Sequence, residues 1–499
     1  MPPFLLALVI GAGQAQFDTT GAFLRGGEQQ VSGQGAAMEY LPARLAVYGN
    51  GALPRAENDG ALWSGRGMSW SLTSGLRTRV GPLVVVLAPE LLWSQNAPFE
   101  IVSGQTDHRS TFSSPFHPEG RNSLDLPLRR GSRALSAVGP GSSGVFAAFA
   151  GGSVVTGVTA APAWWGPSVR NALLLSHQAP GVPRVFASGR HQPGFGRVEW
   201  NWFTGVVTES PFFDRNPSND RRSLGGFALA LSPRLLGGLT LGGGHLALMP
   251  WEGSKTPGVG TLLGLPFRGD GLDPADGEAP AVDALTMLFV AWSKPDHGVR
   301  FGVEAAWQEP PETLDDWLTK WAHTRAVTVS FRWRAPPGAP GDGWYAEGEN
   351  TSLDQTRTRF DVPHPPDFYS GRADPHGFTH QGQLLGALAG PGGQGLWVEV
   401  GRRVAPNAEV GVFVARNRYE NDAAARQEYF NFTRRDVALE GGARVRGRSA
   451  YLLVELAFGI QQRMNYLFQN GQGNPLGLRT IDVANPFLTL ALDWTWSDR

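Results

Sequence analysis

From about residue 69 onward, apolar and polar positions alternate with a period of two, the mark of strands that show one face to each side of a sheet. Residues 299–308 set Val299, Phe301, Val303, Ala305 and Trp307 on one face, with Arg300, Gly302, Glu304 and Gln308 on the other. Residues 327–334 repeat this with Val327, Val329, Phe331 and Trp333 against Thr328, Ser330, Arg332 and Arg334. The pattern predicts strands near 69–80, 83–93, 144–156, 171–178, 183–190, 196–208, 224–234, 238–248 and 283–293. More follow near 298–308, 325–335, 343–349, 378–389, 395–404, 408–418, 435–446, 450–463 and 486–497. Many exceed the five or six residues usual in soluble sheets and match the roughly nine to eleven of a tilted membrane-crossing strand. Trp292, Trp307, Trp333 and Trp496 lie on apolar faces, where an interfacial girdle places them.

The expected fold is therefore all-β: a transmembrane antiparallel barrel of about 18 strands with long extracellular loops. Long connections cover roughly 94–143, 209–222, 249–282, 309–324, 350–377, 419–434 and 464–485, and tight ones separate them. This alternation slips once between 336 and 408, so one strand there is miscounted. The loop 310–324 reads as a short capped helix, with Leu314, Trp317, Leu318 and Trp321 at helical spacing. Residues 1–15 read as an export signal, with the apolar run Phe4–Gly13 ahead of small residues. Residues 16–68 are expected as an N-terminal periplasmic segment, and 69–499 as the barrel. No later apolar run is long enough for a spanning helix, so a membrane location requires a barrel.

Composition agrees. Charged residues make up only 17% of the 499, and Gly numbers 66. The net charge of −1 argues against nucleic acid as a partner. The absence of Cys excludes disulfides, thiolate metal sites and a cysteine nucleophile, and suits a chain crossing an oxidising periplasm. Nearly all the positive charge is Arg, which a GC-rich genome by itself favours, and whose fork also pairs well with carboxylates of an acidic polymer.

Enzyme signatures are missing: no GxSxG, HExxH, Walker loop or dinucleotide fingerprint occurs. His364, His376 and His380 lack metal-ligand spacing, so neither metal nor cofactor is expected. Asp315, Asp316, Glu309 and Glu312 fit the first turn of a helix better than a glycosidase pair. The most distinctive segment is Ala163–Pro183, AWWGPSVRNALLLSHQAPGVP. Trp164 and Trp165 could stack on sugar rings and Arg170 could pair with a uronic acid, or the two Trp could wedge the barrel rim. Arg221 and Arg222 form a second candidate, with ion pairing inside their loop as the plainer role.

The WWGPSVRNALLLSHQAPGVP string resembles a signature stretch of the Wzi-type capsule-assembly family, in which Trp-Gly-Pro leads through an apolar strand to Ser-Asn-Asn-Ala-Pro. Asn58–Trp63 with Gly65-Arg66-Gly67, and Thr379–Gln383 with Leu385-Gly386 and Gly390-Pro391, resemble the family as well. This chain departs from it at His177-Gln178, where the family shows two Asn, and in an N-terminal segment too short for the family's helical bundle. The resemblance implies a non-enzymatic, lectin-like outer-membrane barrel that attaches or helps export capsular or other extracellular polysaccharide. It also implies outer-membrane lipid around the barrel and capsule export machinery as a partner. A diffusive porin for small solutes and a secreted glycan-active enzyme are the competing expectations.

Overall fold

The computed structural model describes residues 23–25, 38–99, 133–211, 213, 216–217, 219–251, 282–308, 315, 325–355, 367–371, 376–422, 435–466 and 482–494. Twenty hydrogen-bonded segments close one antiparallel sheet on itself, and two pairs of them are halves of single strands, which leaves eighteen. In chain order the strands begin with Met38–Asn50 (β1), Gly67–Val80 (β2), Leu83–Leu87 with Glu90–Ser94 (β3), and Leu135–Gly139 with Gly144–Phe149 (β4). Next come Val154–Thr159 (β5), Arg184–His191 (β6), Gly196–Thr208 (β7), Arg221–Pro233 (β8) and Leu239–Pro250 (β9). Asp283–Lys294 (β10), Val299–Gln308 (β11), Arg325–Arg334 (β12), Trp344–Ser352 (β13) and Gln394–Ala405 (β14) follow. Ala408–Arg418 (β15), Val437–Arg448 (β16), Leu452–Met464 (β17) and Val483–Trp494 (β18) complete the wall. Every strand pairs with its sequence neighbours, and β1 pairs with β18 to close the ring.

Period-two patterning produces this wall because each strand meets lipid on one side and the lumen on the other. On β15, Val410, Val412 and Val414 are exposed while Phe413 and Ala415 are buried inward. At one end Trp292, Phe301 and Phe331 form an aromatic run, with ring centroids 6.1 and 5.0 Å apart. At the other end Trp70 stacks on Trp93 at 6.5 Å. Turns at the first end are as short as 81–82 and 406–407, whereas the second carries connections such as 160–183 and 353–393. Short turns mark the periplasmic side and long loops the outside. Trp333 belongs to the periplasmic end as expected, Trp307 is buried at the outer end, and Trp496 lies outside the described residues.

Several expected elements are corrected. Met38–Asn50 is a full barrel strand, not part of a periplasmic segment over 16–68, and a bulge at Leu41–Arg44 accommodates Pro42. The strand expected over 144–156 is two, β4 and β5, turned at Ala150–Gly152. Residues 171–178 form no strand, and 378–389 hold only a two-residue ribbon, Thr379–His380 with Gln383–Leu384. The slip between 336 and 408 is this false strand. The expected signal over 1–15 and the expected helix at 310–324, apart from Asp315, lie outside the described residues.

Candidate functional site

The two false strands are false for one reason: both segments leave the wall and fill the lumen. Ala172, Leu173 and Leu174 are fully buried there, as are Phe368, Tyr369 and Phe378 from the loop after β13. With inward residues such as Phe203, Leu224, Leu246 and Met287 they form one apolar core. An apolar run buried on all sides cannot be told from a central strand by periodicity.

Two wall carboxylates clasp the first segment through its backbone. Glu304 on β11 accepts from Ser168 N at 2.7 Å and Leu173 N at 3.0 Å. Glu349 on β13 accepts from the amides of Val169, Arg170 (3.0 Å) and Asn171 (2.8 Å), and from Asn171 Nδ2 at 2.8 Å. These amides belong to an irregular loop with no ladder partner, and buried backbone donors must be satisfied. Gly166 makes the approach possible: its φ is +115°, and a Cβ there would meet Glu304 Oε1 at 2.3 Å. Gly386 does the same on the facing segment, where a Cβ would meet Tyr369 Oη at 2.2 Å.

The three stretches that carried the sequence resemblance converge in this plug. Asn58 N donates to Gln178 Oε1 at 2.9 Å and Asn58 Nδ2 to Arg170 O at 3.0 Å. Gly60 N donates to His177 O at 2.9 Å, Ser176 N to Leu385 O at 2.8 Å, and Gln383 Nε2 to Leu62 O at 3.4 Å. Gln178, one of the two departures, thus accepts a bond inside the plug. A short N-terminal piece enters as well: Leu24–Arg25 pairs with Trp164–Trp165, and Phe23 packs on Phe289 at 5.7 Å. The loop 51–66 ties to the adjoining strand through Ala52 N and Leu53 N, which donate to Asn485 Oδ1 on β18 at 2.7 and 3.1 Å.

Of the residues expected to meet ligand, most are plug parts. Trp165 is fully buried, edge-on to Phe203 at 5.5 Å, and Trp164 is buried edge-on to His177 at 5.3 Å. Neither offers a ring face to a sugar. Arg222 is buried and donates to Gly377 O at 2.6 Å and Thr379 O at 3.1 Å, holding the second segment. Arg170 is buried against the Trp397 ring at 4.7 Å and pairs with Glu57. Burial, with repulsion from Arg444 and Arg55, brings its pKa down to about 9. Arg221 alone of the five is exposed, at the outer end of β8.

Beneath the plug, the wall from β13 through β18 to β1 is lined with paired charges. Arg444 bridges Glu399 (3.0 Å) and Glu455, Arg446 reaches the same two at 3.5 and 3.4 Å, and Arg44 meets Asp493 at 3.5 Å. A cavity of about 50 Å³ lies between this wall and the plug, lined by Arg44, Glu57, Asp59, Arg170, Arg444 and Glu455 among others. That is room for a few waters. Burial raises Asp59 to about 6 although Ser64 and nearby Arg55 favour its charged form. Burial lowers His177 and His380 to about 4 each, with Arg25 and Arg44 adding repulsion at the first and Arg222 at the second. His376 pairs with Glu209, and among the described residues no three ligands converge on a metal position.

The plug's outer surface carries side chains that sequence reasoning did not assign. Trp63 is half-buried, anchored by its Nε1 donating to Asn96 Oδ1 at 3.0 Å, and Arg66 is fixed by bonds to Gly51 O (3.2 Å) and Pro98 O (2.5 Å). Gln381 is exposed at a tight turn whose backbone N–H donates to Thr208 O at 2.8 Å. The visible signal was Trp63 beside Gly65-Arg66-Gly67, an aromatic and a cation in a glycine-rich turn.

No protein-family model and no curated protein matches the chain. Among solved structures it is similar to Wzi of Escherichia coli, described as an outer membrane protein involved in group 1 capsule assembly and a carbohydrate-binding β-barrel. The TM-score is 0.54 at 13% identity, over 91% of this chain and 84% of that one. Weaker likenesses are to OccK7 (OpdD) of Pseudomonas aeruginosa, TM-score 0.43 at 8% identity over 92% and 98% of the two chains. OprD of the same organism gives 0.40 at 9% over 93% and 95%. At such identities the likeness is one of fold, and with the closed wall, lipid belt and girdles it makes this chain an eighteen-stranded β-barrel of the bacterial outer membrane.

Proposed function

We infer that the protein holds, or helps deliver, an extracellular polysaccharide at the cell surface, acting by binding rather than catalysis at the outer face of a plugged barrel. The observation that carries this reading is the clasp of Glu304 and Glu349 on the plug. A porin needs a continuous water column, whereas this lumen is occupied by a loop whose backbone is fixed to the wall at two carboxylates. A function for such a barrel lies on its outer face. Trp63, Arg66 and Gln381 supply there an indole, a guanidinium and an amide, the side chains that stack on sugar and pair with acidic or hydroxyl groups. Many weak contacts along a repeating polymer give strong retention by avidity. The carbohydrate-binding capacity named for the similar barrel Wzi supports the same reading. Arg170, Trp164, Trp165 and Arg222 then serve by shaping and holding the plug, and capsule export machinery is the partner class this role calls for.

The test is the partition of surface polymer between washed cells and medium, with the gene intact, deleted, or carrying Trp63→Ala with Arg66→Ala. The expected result is normal synthesis with polymer shed into the medium on deletion, and a severalfold loss of retention in the double variant at equal barrel abundance. Unchanged retention on deletion would sink the reading, and bilayer conductance of the purified barrel would then examine the porin alternative.

A further inference from the structure

Tyr369 holds a backbone conformation that its own side chain opposes. Its φ is +77°, in the left-handed region where a bulky residue's Cβ crowds the following carbonyl, and where it persists only if the surroundings over-determine it. The residue is fully buried and so determined. Its N–H donates to Gln308 Oε1 at the outer end of β11 at 2.7 Å, and Gln308 Nε2 donates in turn to Ser370 O. Its carbonyl accepts from Phe378 N at 2.9 Å. Its hydroxyl accepts from Ala387 N and donates to Leu173 O, both at 2.7 Å.

These partners lie in three different parts of the molecule. Gln308 is wall. Leu173 belongs to the first plug segment, and Glu304 already holds its N–H. Phe378 and Ala387 bracket the ribbon Thr379–Leu384, whose tip puts Gln381 on the outer face. Gln383 of the same ribbon donates to Leu62 O at 3.4 Å, next to Trp63. Loss of the hydroxyl bonds leaves a buried amide and a buried carbonyl without partners. It also frees the backbone to relax out of the left-handed region, which withdraws the Tyr369 carbonyl from Phe378. We propose that Tyr369 is a strained latch that makes the outer face and the plug one two-state unit. Ligand held by Gln381 and Trp63 in their seated positions favours the closed bore, and unseating the plug weakens the grip on ligand. A ligand that prefers one state of such a unit shifts it toward that state, and the coupling is reciprocal. The ligand half of this proposal rests on the polymer-binding reading; the latch itself does not.

The experiment is hydrogen exchange of the purified full-length barrel in nonionic detergent, resolved to single amides, with heat-modifiable gel mobility confirming a closed barrel. Tyr369→Phe keeps the ring and loses only the hydroxyl. The amides of Leu173, Phe378, Gln381 and Ala387 should quicken together, by about tenfold or more. Of these, Gln381 bonds to Thr208 O on β7, which Tyr369 does not touch. Gln308→Ala, which removes the wall-side bonds and leaves the hydroxyl in place, should quicken the same set. Quickening confined to Ala387 in the first variant, or to Tyr369 and its neighbours in the second, overturns the latch and leaves a local contact. In the second arm, oligosaccharides released from the cell's own surface polymer should slow the Phe378 and Ala387 amides of the wild type severalfold, and Trp63→Ala with Arg66→Ala should abolish that slowing. Oligosaccharide that slows the Gln381 tip and not the base overturns the coupling while the polymer reading stands. Oligosaccharide that slows nothing strikes the polymer reading and the ligand half together, and the exchange of the two variants still decides the latch.

Discussion

Glu349 concentrates the stabilisation of the plug in one side chain. Its carboxylate accepts from three consecutive backbone amides and one side-chain amide, all buried. Each buried donor left without an acceptor costs about 1–3 kcal/mol, so removal of the carboxylate costs more than any single contact in the loop. Glu349→Ala should therefore loosen residues 166–173 while the barrel stays closed. The expected outcome is new proteolytic cleavage between 160 and 183, and intermittent conductance in planar bilayers where the wild type is silent. A protease pattern identical to wild type would show that the apolar core alone seats the plug. Arg222, by contrast, acts through its guanidinium on two carbonyls of the second segment, so a lysine there keeps the charge and loses the fork.

The plug loops as elements respond to acid. His177 and His380 sit neutral, with pKa values brought down to about 4 by burial. When a loop leaves its seat, its histidine regains an ordinary value near 6.5 and takes up a proton the seated form refuses. Stability of the seated plug is therefore full above about pH 6.5 and lost progressively as pH falls toward 4. Asp59, raised to about 6, works the other way: seating it charged is unfavourable, so its contribution improves as pH falls from 6 toward 4. At the seats of the two histidines themselves the effect of acid is a weakening. Hydrogen exchange in 170–180 and 378–389 should quicken several-fold between pH 7 and pH 4.5. His177→Gln with His380→Gln should flatten that dependence, and a profile unchanged by the pair would refute the assignment. The same elements show what a chain reveals of its fold. Strands with one wet and one lipid face declare themselves by alternation, and β10, β11, β12, β15 and β17 are legible for that reason. Within Met38–Asn50, Glu39–Tyr48 reads only as strand- or helix-like, because Pro42 demotes it and a bulge breaks its phase. Residues 171–178 mislead because a loop buried on all sides is as apolar as a central strand. The three stretches of the candidate site are legible as unusual strings, but not their meeting in the lumen. Glu304 and Glu349 look like ordinary inward-facing carboxylates until the loop they hold is seen.

At the scale of the molecule, the wall alone carries the lipid belt, while wall and plug build the bore's apolar core together. Deletion of residues 163–181 with a short Gly-Ser bridge should leave a heat-modifiable barrel of the same apparent size and give it steady, porin-like conductance. If that deletion abolishes insertion into the membrane, the plug is required for the wall to form. The position of Phe23–Arg25 bears on how such a molecule is made. These residues are inside the bore, paired with Trp164–Trp165, yet they precede β1, the strand that seals the ring against β18. Once the seam is shut, this piece of chain has only the periplasmic opening to pass, among the crossed arginines and carboxylates of the lower wall. The economical order of events is a stopper assembled around its own leading thread first, with the first and last staves brought together over it afterwards. A chain whose stopper has not gathered should then leave its two outermost staves apart, and such a half-built cask would be open to the quality-control proteases of the periplasm.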